Sequence, residues 1–429
     1  MGTDIGSLFT ALSQRAPKEN LAVFIGRIGG RFMDNTKYLF RHCVQTEQPF
    51  SSVFLTHHAD DYDMLRDAGL PCLMFPSEEA IAMLPRAKAV VCDDFWWRME
   101  TPARFLLSGA QILQLWHGIP LKLIGMPEAE SAVNMDAEKR QMLRAGYSGY
   151  DAVVSTSPFV TGTGLGRAFA CDEIWETGYP RNDMLFRTPD AIDMLGVDRE
   201  AYDAMERFRG AGFKTVFYMP TFRDTGGDAF ENGALDLERL DIFCRRQKIA
   251  FFFKFHPYVN VPVPRHLKAV HSVQFNSDAY PLLAQTDCLL TDYSSVAYDF
   301  LLTGRPVVFF PYDLEKYLAC DRAMFYRYED MSPGPRPVNE PELFEALFRV
   351  CKGGEDPWRE ERNALCAKLF SACDGHAAGR VARLMRSRFF AGGGIARYGM
   401  FAENFLLWHP ARRDGDVPLI CGDVPGCKA

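Results

Sequence analysis

Short apolar runs rich in β-branched and aromatic residues recur along the chain with room for a helix between them, and this rhythm narrows the fold more than any other feature. The first series lies at 21–25 (LAVFI), 52–56 (SVFLT), 87–92 (AKAVVC), 111–116 (QILQLW) and 151–155 (DAVVS). Near-continuous apolar runs belong to strands covered on both faces, and strands alternating with helices build βαβ units and a parallel sheet. A charged, helix-favouring stretch at about 197–211 precedes a second series at 213–219 (FKTVFYM), 249–255 (IAFFFKF), 286–291 (TDCLLT) and 306–310 (PVVFF). Segments 35–44 and 137–146 carry apolar residues at helical spacing with charge opposite, as crossover helices do. Two parallel-sheet domains in tandem are expected, and 429 residues exceed what one hydrophobic core usually serves.

A net charge of −7 argues against a nucleic-acid binder that relies on a strongly basic surface. The twelve cysteines stand singly, with no Cys-x-x-Cys pair and no Cys/His cluster at zinc spacing, so they read as buried thiols in a reducing cytoplasm. No basic head followed by an apolar stretch opens the chain, and no run of about 18 apolar residues occurs, so neither export nor membrane spanning is expected. Past Gly392, Gly393 and Gly394, the rings of Tyr398, Phe401, Phe405 and Trp408 fall on one side of a helix. That helix either docks on the protein's own body or lies on a membrane surface.

In open α/β sheets ligands sit at the carboxyl ends of strands, so the residues just past each run carry the chemistry. After 111–116 comes WHGIPLK, in which His117 sits on a stiff Gly-Pro turn, either as a turn cap or as a general base. After 213–219 come Thr221 and Arg223, a hydroxyl and a guanidinium suited to a phosphate, with a surface Arg223–Asp224 pair as the plainer reading. After 249–255 comes Lys254-Phe255-His256-Pro257, a second proline-locked histidine, and the two are expected to face each other across a central cleft. After 286–291, Asp292, Ser294 and Ser295 precede an apolar helix, where they cap it, bind a pyrophosphate at its start, or both. Pro311-Tyr312-Asp313 through Tyr317 reads as an exposed loop, with aromatics and carboxylates that bracket a base or ribose as the other reading.

Gly26, Gly29 and Gly30 lack the full dinucleotide fingerprint and no Walker sequence occurs, which disfavours an NAD enzyme or a P-loop ATPase. Asp93 and Asp94 on an extended segment point opposite ways, so no metal site is expected there.

Taken in order, FMDNTKYL at 32–39, WHGIPLKLIG at 116–125, TGYPRND at 177–183, MPTFRD at 219–224, KFHP at 254–257, TDYSSVAYDF at 291–300, RPVVFFPYDLEKY at 305–317 and Pro333-Gly334-Pro335 resemble the CDP-glycerol glycerophosphotransferase family of teichoic acid and capsule enzymes. The resemblance spans about 21–340. It implies a GT-B-like α/β fold, two Rossmann-like domains facing a central cleft, divided at 1–195 on the acceptor side and 196–390 on the donor side, with a tail at 391–429. It further implies transfer of glycerol phosphate from CDP-glycerol to a hydroxyl of a surface polymer or lipid-linked glycan, with CMP released and no cofactor or metal. Ribitol phosphate or a nucleotide sugar as the donated group, and a non-catalytic nucleotide-binding scaffold, are the rival readings.

By the same resemblance His117 is the base, His256, Ser294 and Ser295 hold the donor phosphates, and Arg223 and Thr221 add phosphate contacts. Lys122, Lys254, Asp292 and Asp299 are further donor or acceptor contacts. Such an enzyme is expected in the cytoplasm, with a peripheral position at the inner face of the membrane. Many family members have Thr where this chain has Ile119, which removes a hydroxyl beside the base. The chain otherwise resembles a compact version of polymerases that carry a long N-terminal extension.

Overall fold

The computed structural model describes residues 4–255, 261–354 and 356–391. The chain forms two compact units. Among the described residues, the first comprises those through Gly118, Gln141–Val197 and 370–391; the second comprises Ile119–Arg140 and those within Asp198–Leu369. The change of unit at Val197/Asp198 falls near the expected division, but two segments are exchanged across it: Ile119–Arg140 belongs to the second unit and the last described helix to the first.

The first unit is built on seven parallel strands: β1 (Glu19–Ile25), β2 (Ser51–Thr56), β3 (Cys72–Met74), β4 (Ala87–Cys92), β5 (Gln111–Gln114), β6 (Ser148–Ser155) and β7 (Ala170–Glu176), in the order β3-β2-β1-β4-β5-β6-β7. The central strands are the apolar runs of the sequence, and Ala22, Val23 and Phe24 pair with Ser52, Val53 and Phe54 on one side and Ala89, Val90 and Val91 on the other. These three residues of β1 are fully buried, as a parallel sheet covered on both faces requires.

Helix α1 (Asp34–Gln45) follows β1 and keeps its whole first turn buried. Between them the backbone makes a left-handed excursion at Ile28 and Gly29, and Gly30 (φ +86°) lies so close to β2 that a Cβ there would stand 2.5 Å from the Leu55 carbonyl oxygen. Only glycine fits that approach. The last described helix, α2 (Ala377–Arg388), is tied to this unit because the Asp183 carboxylate accepts from the free N–H groups of Ala377 and Ala378 at 2.8 and 2.9 Å. Phe50 stacks on Phe390 just beyond it, at 4.2 Å between ring centres.

The second unit has five parallel strands: β8 (Lys214–Tyr218), β9 (Ile249–Phe253), β10 (Val270–Ser272), β11 (Cys288–Thr291) and β12 (Val307–Phe309), in the order β10-β9-β8-β11-β12. Strand β9 is buried along its whole length, and its core continues through Tyr218, Leu240, Leu290, Val308 and Leu347. Asp198 caps the helix Arg199–Gly210 and also accepts from the backbone of Gln274, which pins that helix to the loop after β10. Both sheets are thus parallel and α/β, as expected. Among the described cysteines Cys43, Cys92, Cys244 and Cys288 are buried free thiols, while Cys373 is exposed. No helix of the described residues is long and apolar enough to cross a membrane, and the aromatic tail lies outside them.

Candidate active site

In the first unit, the residues past β5 are held by a lattice of buried polar contacts. Trp116 adopts φ +56°, a conformation that is strained for a bulky residue. Its N–H donates to Gln114 Oε1 at 2.9 Å, and its carbonyl accepts from Asn35 Nδ2 at 2.7 Å. The next residue is His117, half-buried, with its ring 3.9 Å from the Trp116 ring centre.

Nδ1 of His117 lies 2.8 Å from the Asp93 carbonyl oxygen. A carbonyl can only accept, so Nδ1 carries the proton and Nε2 keeps its lone pair. Burial, reinforced by Arg27, pushes the imidazole well below its ordinary pKa and keeps it neutral. This is a positioned, unprotonated base.

Three further residues of this site, Arg181, Asp34 and Arg27, were not read for their chemistry in the sequence. Arg181, from the TGYPRND segment, donates through Nη1 to Asp34 Oδ1 at 2.7 Å and to the His117 carbonyl at 2.9 Å. Asp34 is buried at φ +61°, and Arg27 reaches its other oxygen at 3.1 Å. Burial works against the Asp34 charge, but Arg181 and Arg27 outweigh it and hold the carboxyl at about 2. Asp93 takes the opposite course: burial, with Asp34 and Asp94 nearby, raises it well above the usual range and favours the neutral acid. Its Oδ2 accepts from the N–H and hydroxyl of Thr36 at 3.1 and 3.0 Å. Asp94 turns instead to the N–H groups of Ile28 and Trp96.

In the second unit, Arg223 is enclosed. Its side chain is 2% exposed and donates to Asp313 through Nε and Nη2, and to Asp292 and the Thr221 carbonyl through Nη1, all at 2.6–2.8 Å. The rings of Tyr293, Tyr312 and Tyr317 stand around the guanidinium at 4.9, 5.3 and 5.2 Å. Neither the surface pair with Asp224 nor an open phosphate contact describes it: Asp224 pairs with Arg322 instead. The loop expected to be exposed at 311–317 supplies Tyr312, Asp313 and Tyr317 to this cage.

The cage also corrects the reading of Asp292. That carboxylate is buried and accepts from the Thr221 N–H at 2.8 Å, from the Tyr293 N–H and from Arg223, so it fixes the loop before the helix rather than capping it. The helix itself (Val296–Leu301) has only six residues, too few for a strong dipole, and no side chain caps it. Ser294 and Ser295 are half-buried at its start. Asp299 is buried and accepts from the Tyr280 hydroxyl at 2.6 Å, and Lys254 donates to the Phe275 carbonyl. The Thr221 hydroxyl is buried without a partner among the described residues. Ile119 is fully buried. His256 lies outside the described residues.

The family model for CDP-glycerol:poly(glycerophosphate) glycerophosphotransferase matches residues 7–387. The chain belongs to this family. Among its glycerophosphotransferase relatives, the teichoic acid glycerol-phosphate transferase of Staphylococcus aureus is 28% identical over 87% of this chain and 95% of that protein. The teichoic acid ribitol-phosphate polymerase TarL of the same species is 27% identical over 70% of this chain, which spans about half (52%) of its length. The wall teichoic acid polymerase TagF shares the fold with a TM-score of 0.66 at 19% identity, over 90% of this chain and 94% of that one. A TagF variant soaked with CDPG matches with a TM-score of 0.65 at 21% identity, over 89% and 92% of the two chains.

Proposed function

We propose that this glycerophosphotransferase moves glycerol phosphate from CDP-glycerol to a hydroxyl of a cell-surface polymer and releases CMP. The observation that carries the mechanism is the His117–Asp93 hydrogen bond, which leaves Nε2 as the proton acceptor. Nε2 takes the proton of the acceptor hydroxyl, the oxygen attacks the β-phosphorus, and the bond from that phosphorus to the bridging oxygen breaks with its electron pair staying on CMP. The Ser294 and Ser295 hydroxyls, with His256, donate to the diphosphate. Thr221, whose backbone N–H and carbonyl belong to the cage, has a spare hydroxyl that serves the same anion, while Arg223 and Asp292 hold the loop that presents the serines.

The experiment is CMP release from CDP-glycerol by the purified protein with a defined polyol-phosphate acceptor. His117→Asn is expected to bind CDP normally and to lose turnover by roughly 10²–10⁴-fold. Unchanged turnover in that variant would remove the base assignment. The likeness to ribitol-phosphate polymerases supports a second reading, in which CDP-ribitol is the donor, and CMP release from each donor in parallel decides between them. A lipid-linked acceptor would bring the enzyme to the inner face of the membrane, which sedimentation with acceptor-loaded vesicles tests.

A further inference from the structure

Three cations gather in the second unit beside Asp224 and Asp292: Arg223, Arg322 and Lys122. Both arginines are paired with carboxylates. Arg223 takes Asp292 and Asp313, and Arg322 takes Asp224 through Nε at 2.7 Å and Glu128 through Nη1 at 2.8 Å. The carboxylates are engaged as well, because Asp224 also accepts from Asn134 Nδ2, and Asp292 also accepts two backbone N–H groups.

Lys122 is different. Its Nζ makes no hydrogen bond and no ion pair among the described residues, yet its backbone is fixed. Lys122 pairs antiparallel with Met324, and the flanking bonds Leu123 N–H to Ala323 O (2.9 Å) and Phe325 N–H to Leu121 O (2.8 Å) hold the segment. A half-buried ammonium on a segment held by this isolated bridge, with Asp224 and Asp292 both paired to arginines, has no ion-pair partner of its own among the described residues.

We infer that Lys122 is the cation that meets the donor's diphosphate, a contact Arg223 is too enclosed to make. This rests on the reading of the chain as a CDP-glycerol transferase. The ammonium donates to non-bridging phosphate oxygens and offsets the charge that grows on the CMP phosphate as the bond to the bridging oxygen breaks; no proton need be transferred. Burial, with Arg322 adding to it, brings the Lys122 ammonium down to about 8, against the pull of Asp292 and Asp224, while Arg223 also lowers it. A phosphate there favours the charged form, so donor affinity is full below pH 8 and falls as the free ammonium deprotonates above it.

The test is titration calorimetry of the full chain with CDP and with inorganic pyrophosphate between pH 6.5 and 9.5, on wild type, Lys122→Met and Lys122→Arg. Lys122→Met is expected to lose roughly 10–100-fold in affinity for both ligands and to lose the fall above pH 8. Lys122→Arg is expected to retain binding while the fall disappears from this range, because a guanidinium stays charged. Wild-type affinity in Lys122→Met overturns the inference, as does a melting temperature far below that of wild type, which would mark the ammonium as a structural group. Wild-type protein that binds pyrophosphate through Lys122 but releases no CMP would defeat the transferase reading and leave the anion contact standing. Failure of wild type to bind either ligand overturns the anion contact itself.

Discussion

The Asp93 carbonyl oxygen accepts from Nδ1 of His117 at 2.8 Å, so one backbone atom decides which imidazole nitrogen can take a proton. Burial and the neighbouring Arg27 act on the same ring and lower its basicity. A base works only when unprotonated, so its pKa sets the acid limb of the rate profile. We expect kcat/KM for the acceptor to stay level from pH 7 down past the ordinary histidine value of 6.5 and to decline only well below it. An acid limb centred above 6.5 would contradict a neutral, buried base.

Arg181 joins the Asp34 carboxylate to the His117 carbonyl. Among the described residues its removal leaves Asp34 with one ion pair, the 3.1 Å contact to Arg27, and the Asn35 N–H, inside a buried site. Arg181→Ala is expected to lower stability by about 3 kcal/mol and to slow turnover. Adding Asp34→Asn to that variant should recover part of the stability, since the unpaired charge is gone. Denaturant unfolding of the single and double variants measures this coupling.

Arg223 neutralises the buried Asp292 and the half-buried Asp313 at once. Arg223→Met leaves both without their cation and is expected to destabilise the protein by about 3–5 kcal/mol. Arg223→Lys keeps the charge but loses the two-pronged grip on Asp313, so it should fall between Met and wild type. The check is the denaturation midpoint of each variant. Equal stability for all three proteins would mean that the cage contributes nothing.

Gly30 combines φ +86° with a carbonyl 2.5 Å from where a Cβ would stand. Gly30→Ala should cost more than about 1 kcal/mol, because strain and collision add. Gly69, at φ +69° with open space around it, is the control, since alanine there meets only the backbone strain. Thermal melting of the two variants separates collision from strain.

The central strands were legible because each is a continuous apolar run. Strands β3, β7 and β10 were not, and partial burial explains why: all three are edge strands with exposed or half-buried residues, whereas β12, also an edge, is buried throughout and was legible. Strands β3 and β10 have only three residues each, and β7 buries little beyond Trp175, so none produces an unbroken apolar stretch. His117 was legible because a histidine on a Gly-Pro turn after a strand announces itself locally.

Arg223 was misread for the converse reason. Its carboxylate partners lie 69 and 90 residues further along the chain, and nothing near Arg223 in sequence indicates them. Arg181 and Asp34, 147 residues apart, stood in recognisable motifs, but their pairing exists only once the chain is folded. Local spacing reveals which residues end a strand, while the burial that makes a charge structural comes from distant segments.

The exchange of segments between the two units decides how this protein can be dissected. A fragment cut after residue 195 would retain Ile119–Arg140 without Arg322, whose guanidinium grips Glu128, and would lose the helix whose first amides rest on Asp183. The complementary fragment would keep that helix with nothing to hold its start. Neither half is a contiguous stretch of chain, so expressing them separately should yield insoluble or protease-sensitive material, and only co-expression gives each its missing piece.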